Sequence, residues 1–104
     1  PVLTIETFSG DDEGVAKAND TRFGLAATLV TSDPERAEKV SAQLRAGTVW
    51  VNCYNIFDAS MPFGGYKQSG WGREMGHEVL KNYLETKSVW INTGAPSGNP
   101  FVLK

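Results

Sequence analysis

Apolar and polar residues alternate over residues 2–8 (VLTIETF), with Leu3 and Ile5 on one face and Thr4 and Glu6 on the other. A period of two predicts a strand with one face better buried. Ser9 followed by Asp11, Asp12 and Glu13 reads as an N-cap and an acidic first turn, so a short helix through Val15, Ala16 and Ala18 is expected to end near Asn19. Thr21 to Gly24 turns the chain into a second strand over 25–31, where Ala26 and Ala27 allow close packing. Asp33-Pro34 then predicts a sharp helix start, with the carboxylate as cap and proline at the first position. Ala37, Val40, Ser41 and Leu44 recur at helical spacing and should form its inward face, while Glu35 and Lys39 can pair outside. Gly47 sits where a left-handed C-terminal cap belongs.

Residues 48–52 (TVWVN) combine β-branched and aromatic side chains and predict a strand buried on both faces, as in the middle of a parallel sheet. Val79, Leu80, Tyr83 and Leu84 mark a further amphipathic helix, and 88–92 (SVWIN) alternates as a last strand. The tail 94–100 (GAPSGNP) is turn-rich and is expected to be poorly ordered. Strand, helix, strand, helix, strand is the α/β pattern. In such sheets ligands bind beyond the C-terminal ends of strands. The stretch 52–63 is therefore the candidate site wall.

That wall leads into PFGGYKQSGWGRE at 62–74, which packs four glycines and three aromatics into thirteen residues. The stretch is too glycine-rich for an element interior and too aromatic for a linker, so it predicts an ordered loop held against other structure. It contains neither of the glycine patterns that cradle phosphate, GxxxxGK[ST] or GxGxxG. Ten basic residues against twelve acidic ones, a net charge of −2, exclude a nucleic-acid backbone binder. No apolar run approaches the roughly 20 residues that cross a bilayer. A single cysteine, Cys53, allows no internal disulfide and points to a reducing, cytoplasmic location. One histidine and one cysteine do not make a zinc site.

The 62–74 stretch resembles the C-terminal signature of the NAD(P)-dependent aldehyde dehydrogenase superfamily, close to PFGGxKxSGxGRE. The resemblance extends to ANDTRFGLAA at 18–27, RAGTVWVN at 45–52 and NYLETKSV at 82–89, in the same order, and runs from Pro1 to about Ile91. It implies a partial three-layer α/β/α catalytic domain over 1–86, with an oligomerisation strand and tail over 87–104. Pro1 would close the family's E-x-F-G-P motif, which makes this the C-terminal portion without the dinucleotide-binding domain.

The implied chemistry is oxidation of an aldehyde to a carboxylic acid through a cysteine thioester, with NAD or NADP as cofactor. The nucleophile and the glutamate base belong to motifs upstream of Pro1, so no catalytic residue is expected here and the chain alone should be inactive. Cys53 lies in a loop after TVWVN and reads as a small hydrophobe. The resemblance puts Asn55, Phe57 and Phe63 on the aldehyde entrance tunnel, and Leu25 and Phe63 near the nicotinamide. Two phenylalanines suit an apolar or aromatic aldehyde. Asn55 stands where some relatives carry aspartate. Asn52 reads as a group that satisfies backbone at the strand end, and Lys67, Ser69, Arg73 and Glu74 as structural. Arg73 and Glu74 would point apart on a helix, and His77 would be exposed. The implied partners are an aldehyde and further copies of the chain through 88–92, with no nucleic acid or membrane. The alternative is a stand-alone interaction module derived from the family.

Overall fold

Helix α1 (Asp11–Asn19) leads into the two-residue strand β1 (Phe23–Gly24), then β2 (Ala26–Leu29), helix α2 (Pro34–Gln43) and β3 (Thr48–Val51). Strand β4 (Tyr66–Lys67) and a 3-10 helix (His77–Asn82) follow. This is a computed structural model, and it describes residues 1–95, 98 and 101. β2 and β3 pair in parallel from Ala26 opposite Thr48 to Leu29 opposite Val51, with α2 as the crossover packed against both. The mixed α/β character expected from the sequence is present.

Helix α2 starts as its sequence dictates. Asp33 accepts from the backbone N–H groups of Glu35 and Arg36 at 2.9 and 3.2 Å, and Pro34 opens the helix. Its inward face is the expected one: Val40 is buried, and Ala37, Ser41 and Leu44 are half-buried. Arg36 forms an ion pair with Asp11 of α1, whereas Glu35 and Lys39 form none among the described residues. The Asp11 carboxylate beside it raises the Arg36 guanidinium above its ordinary pKa. At the far end of the β2–β3 pair the Asn52 amide clamps both strands. It accepts from the Thr31 N–H at 2.9 Å and donates to the Thr31 carbonyl at 2.7 Å. This is the backbone role its position suggests.

Five expectations need correction. Residues 2–8 and 88–92 form no strand: Ile5 is 82% exposed and Trp90 94%, and neither stretch meets a neighbour on which to build a ladder. Strand pairing, not alternation, is what makes a strand stable. The cap of α1 is Gly10 at φ 97, and Ser9 instead donates its backbone N–H to Glu13. Val79 to Leu84 do not form an amphipathic α-helix. The 3-10 helix ends at Asn82, and Leu80, Tyr83 and Leu84 are exposed, so no packing supports a longer one. Trp50 is the only residue of β3 that is buried. The expected turn-rich tail lies in large part outside the described residues.

Gly47 is the fifth. Helix α2 ends earlier, with Leu44 in extended conformation, and Gly47 has no positive φ. Its job is proximity: a Cβ built on it would fall onto the carbonyl oxygen of Gly64. The 62–74 loop is thereby pressed backbone to backbone against the start of β3. β4 completes the seam by pairing antiparallel with β1, Phe23 opposite Lys67 and Gly24 opposite Tyr66. The radius of gyration is 22.2 Å, against about 13 Å for a compact chain of this length.

Candidate functional site

The loop beyond β3 reverses direction through two residues in the left-handed region, Asn52 at φ 55 and Asn55 at φ 57. Asparagine tolerates this conformation better than other side chains. The loop then carries Phe57 back over β3, edge-on to the Trp50 ring at 5.7 Å and to the Phe63 ring at 5.0 Å. Trp50 meets Tyr54 edge-on at 5.5 Å as well. Each such pair contributes about 0.5–1.5 kcal/mol beyond the area it buries. Trp50, Ile56, Phe57, Met61, Phe63 and Met75 line a cleft of about 340 Å³. Its rim is braced by Asp58, which accepts from the Ser60 hydroxyl at 2.6 Å and the Ser60 N–H at 2.8 Å. These bonds hold the Asp58 carboxyl below its usual pKa.

A second cleft of about 410 Å³ is lined by Phe63 together with Leu25, Gly64, Gly72, Arg73 and Tyr83. Phe63 lines both spaces. It is held by an antiparallel bridge to Glu74, with both N–H···O distances at 2.8 Å. Arg73 and Glu74 therefore sit in extended, bridged chain and not on a helix. Arg73 donates to the carbonyls of Gly65 and Gly72 at 2.9 and 2.8 Å and lies over the Tyr66 ring at 5.4 Å. Lys67 donates to the carbonyls of Asn19 and Thr21 at 2.8 and 3.0 Å, and Ser69 accepts from the Gly24 N–H at 3.0 Å. The side chains of Lys67, Ser69 and Arg73 are thus all spent on backbone groups, the structural role their sequence setting suggests.

The structure thus brings the Phe57 ring to the Phe63 ring, and Leu25 and Phe63 line one cleft. Asn55 lines neither cleft and is exposed, as is His77. Cys53 is half-buried, and no cluster of metal-ligating residues exists among the described residues. A wider hollow of about 710 Å³ lies between α1 and Lys67, but its lysines are already paired, Lys17 with Glu13 and Lys67 with carbonyls. Sequence reasoning missed Trp50. The only available signal was that a buried indole needs an acceptor for its N–H.

Residues 1–89 match the aldehyde dehydrogenase family. The chain is 50% identical over 101 residues to a betaine aldehyde dehydrogenase of Bacillus subtilis, covering 97% of this chain and 21% of that one. It is 54% identical over 97 residues to the mitochondrial aldehyde dehydrogenase family 2 member B4 of Arabidopsis thaliana, covering 93% and 18%. Among solved structures, betaine aldehyde dehydrogenase of Staphylococcus aureus in complex with NAD+ superposes with a TM-score of 0.88 at 41% identity, over 96% of this chain and 20% of that one. The NAD+ complex of an aldehyde dehydrogenase from Bacillus cereus gives 0.80 at 48% identity, over 84% and 18%. The chain spans about a fifth of the length of these relatives. No helix among the described residues is long and apolar enough to cross a membrane.

Proposed function

Since the chain belongs to the aldehyde dehydrogenase family, we propose that it is the C-terminal part of the three-layer catalytic domain of an NAD(P)-dependent aldehyde dehydrogenase. In this reading it forms one wall of the aldehyde tunnel. Residues 1–86 belong to the catalytic domain and 87–104 to a segment and tail that joins copies of the enzyme, its 88–92 stretch pairing as a strand only against another copy. The single observation that carries the reading is that Phe63 lines two clefts, an aromatic one with Phe57 and another with Leu25. A residue that meets both aldehyde and nicotinamide needs that placement.

The parent reaction converts an aldehyde to a carboxylic acid through a cysteine thioester, with water entering at hydrolysis. A bound nicotinamide dinucleotide supplies the hydride acceptor. This chain's residues fit one end of that group: Leu25 and Phe63 offer apolar atoms to a flat ring. The cation of their cleft, Arg73, spends its Nη1 on the carbonyls of Gly65 and Gly72. NAD+ is the form held by the two relatives above, and it is the form we propose, with NADP as the alternative. On the aldehyde side, Phe57 and Phe63 exclude water and orient an apolar or aromatic substrate by shape. The stand-alone module is the weaker reading, because this chain leaves 9197 Å² accessible, against roughly 5,700 Å² for a folded monomer of its mass.

The test is Phe57→Leu and Phe57→Ala in the full-length protein that carries this segment. The expected result is a rise of about tenfold in KM for bulky aldehydes, with cofactor KM unchanged. An unchanged aldehyde profile in a folded variant would overturn the assignment.

A further inference from the structure

Residues 53–57, the stretch that carries Phe57, make a single hydrogen bond to the rest of the described protein. It comes from the Trp50 indole, whose Nε1–H donates to the Ile56 carbonyl at 2.9 Å. No backbone N–H or carbonyl of residues 53–57 takes part in a turn or ladder bond. Asn52 precedes the stretch in the left-handed region and Asn55 lies within it there, so its path is not the one a chain drifts into by preference. Trp50 itself is 8% exposed, one of two buried hydrophobic residues among those described. Its ring is edge-on to Phe57, which is edge-on to Phe63.

We propose that Trp50 is a positioning residue for aldehyde specificity: its indole N–H anchors the wall loop at Ile56, and its ring sets the angle at which Phe57 meets Phe63. The inference rests on the reading of Phe57 as tunnel wall. The anchor sits one residue before Phe57, so loss of the bond frees the backbone that aims the ring. The strand below is rigid through its parallel ladder and the Asn52 clamp. A loop with one polar anchor on a rigid floor has its geometry decided at that anchor.

The experiment is a double-substitution cycle in the full-length protein, with Trp50→Phe, Phe57→Leu and the pair. Its readout is the ratio of kcat/KM for an aromatic aldehyde to that for a short aliphatic one. Trp50→Phe keeps a ring and removes the donor. The expected result is a fall in that ratio of about three- to tenfold, carried by KM, with cofactor KM unchanged. In the Phe57→Leu background the same substitution should change the ratio less than twofold, because Trp50 acts through Phe57. An equal change in both backgrounds, or a uniform loss for all aldehydes, gives Trp50 a general structural role and overturns the proposal. If Phe57→Leu alone leaves the ratio unchanged, the tunnel reading fails and takes the inference with it. Should Trp50→Phe fail to fold, replacement of Trp50 by benzothienylalanine keeps the bicycle and removes only the N–H. A ratio unchanged by that replacement equally overturns the anchor.

Discussion

Lys67 adopts φ 54, where a non-glycine residue is strained, and its ammonium reaches the carbonyls of Asn19, the last residue of α1, and of Thr21 just beyond it. The lysine of the loop signature is thus a strut between the end of one helix and a strand far along the chain. Lys67→Met keeps the aliphatic stem and removes the donors. In the full-length protein it should lower stability by about 1–3 kcal/mol, read from the urea midpoint. An unchanged midpoint would assign those carbonyls to water. Asp33→Ala removes the cap of α2 and should cost about 1 kcal/mol, checked the same way. Asn55 illustrates the opposite case. Its left-handed φ gives the asparagine a backbone reason to be there, independent of any contact with substrate.

At the scale of elements, the start of α1 carries a pH dependence with a definite sign. Lys17, and then the Ser9 N–H, hold the Glu13 carboxyl below its ordinary pKa. A carboxyl depressed in the folded state stabilises above its unfolded pKa of roughly 4 and loses that contribution as pH falls through the lower folded value. Protection of the Ser9 amide from exchange should therefore drop on acidification, and the drop should be absent in Glu13→Gln. What was legible in the sequence follows the same division between local and distant causes. α2 was readable to its first residue because its cap and proline are local. β3 and the Asn52 clamp were readable because a β-branched run and a terminal asparagine have few other uses, and β2 because Ala26 and Ala27 allow close packing. Residues 2–8 and 88–92 alternate correctly yet form no strand, because a ladder needs a neighbour that alternation cannot supply. The 3-10 helix fell short for the same reason. In the candidate site, motif resemblance singles out Phe57 and Phe63, whose rings meet, whereas the Trp50 anchor depends on a six-residue reach across a loop that no periodicity encodes.

For the whole molecule, exposed apolar segments and a wide surface carry a prediction about behaviour in solution. Val89, Trp90 and Ile91 are exposed at 70, 94 and 80%, and apolar segments with unpaired backbone associate. We expect the 104-residue chain, of 11.3 kDa, to be a dimer or larger at micromolar concentration by light scattering. Truncation before Lys87 should weaken that association, and survival of the full assembly would put the contact elsewhere. The same chain should reduce no NAD(P)+ with any aldehyde, and turnover abolished by Cys53→Ala would contradict that. The meeting of Gly47 with Gly64 has a different kind of consequence. The obstacle there is the first carbon of any side chain, so size, charge and polarity are irrelevant once it is present. A saturation library should return a flat profile at Gly47, with all nineteen replacements alike in the loss they cause. At Trp50 it should return a graded one, ordered by ring and donor. The shape of tolerance across substitutions, not its average, distinguishes a position that must be empty from one that must be filled.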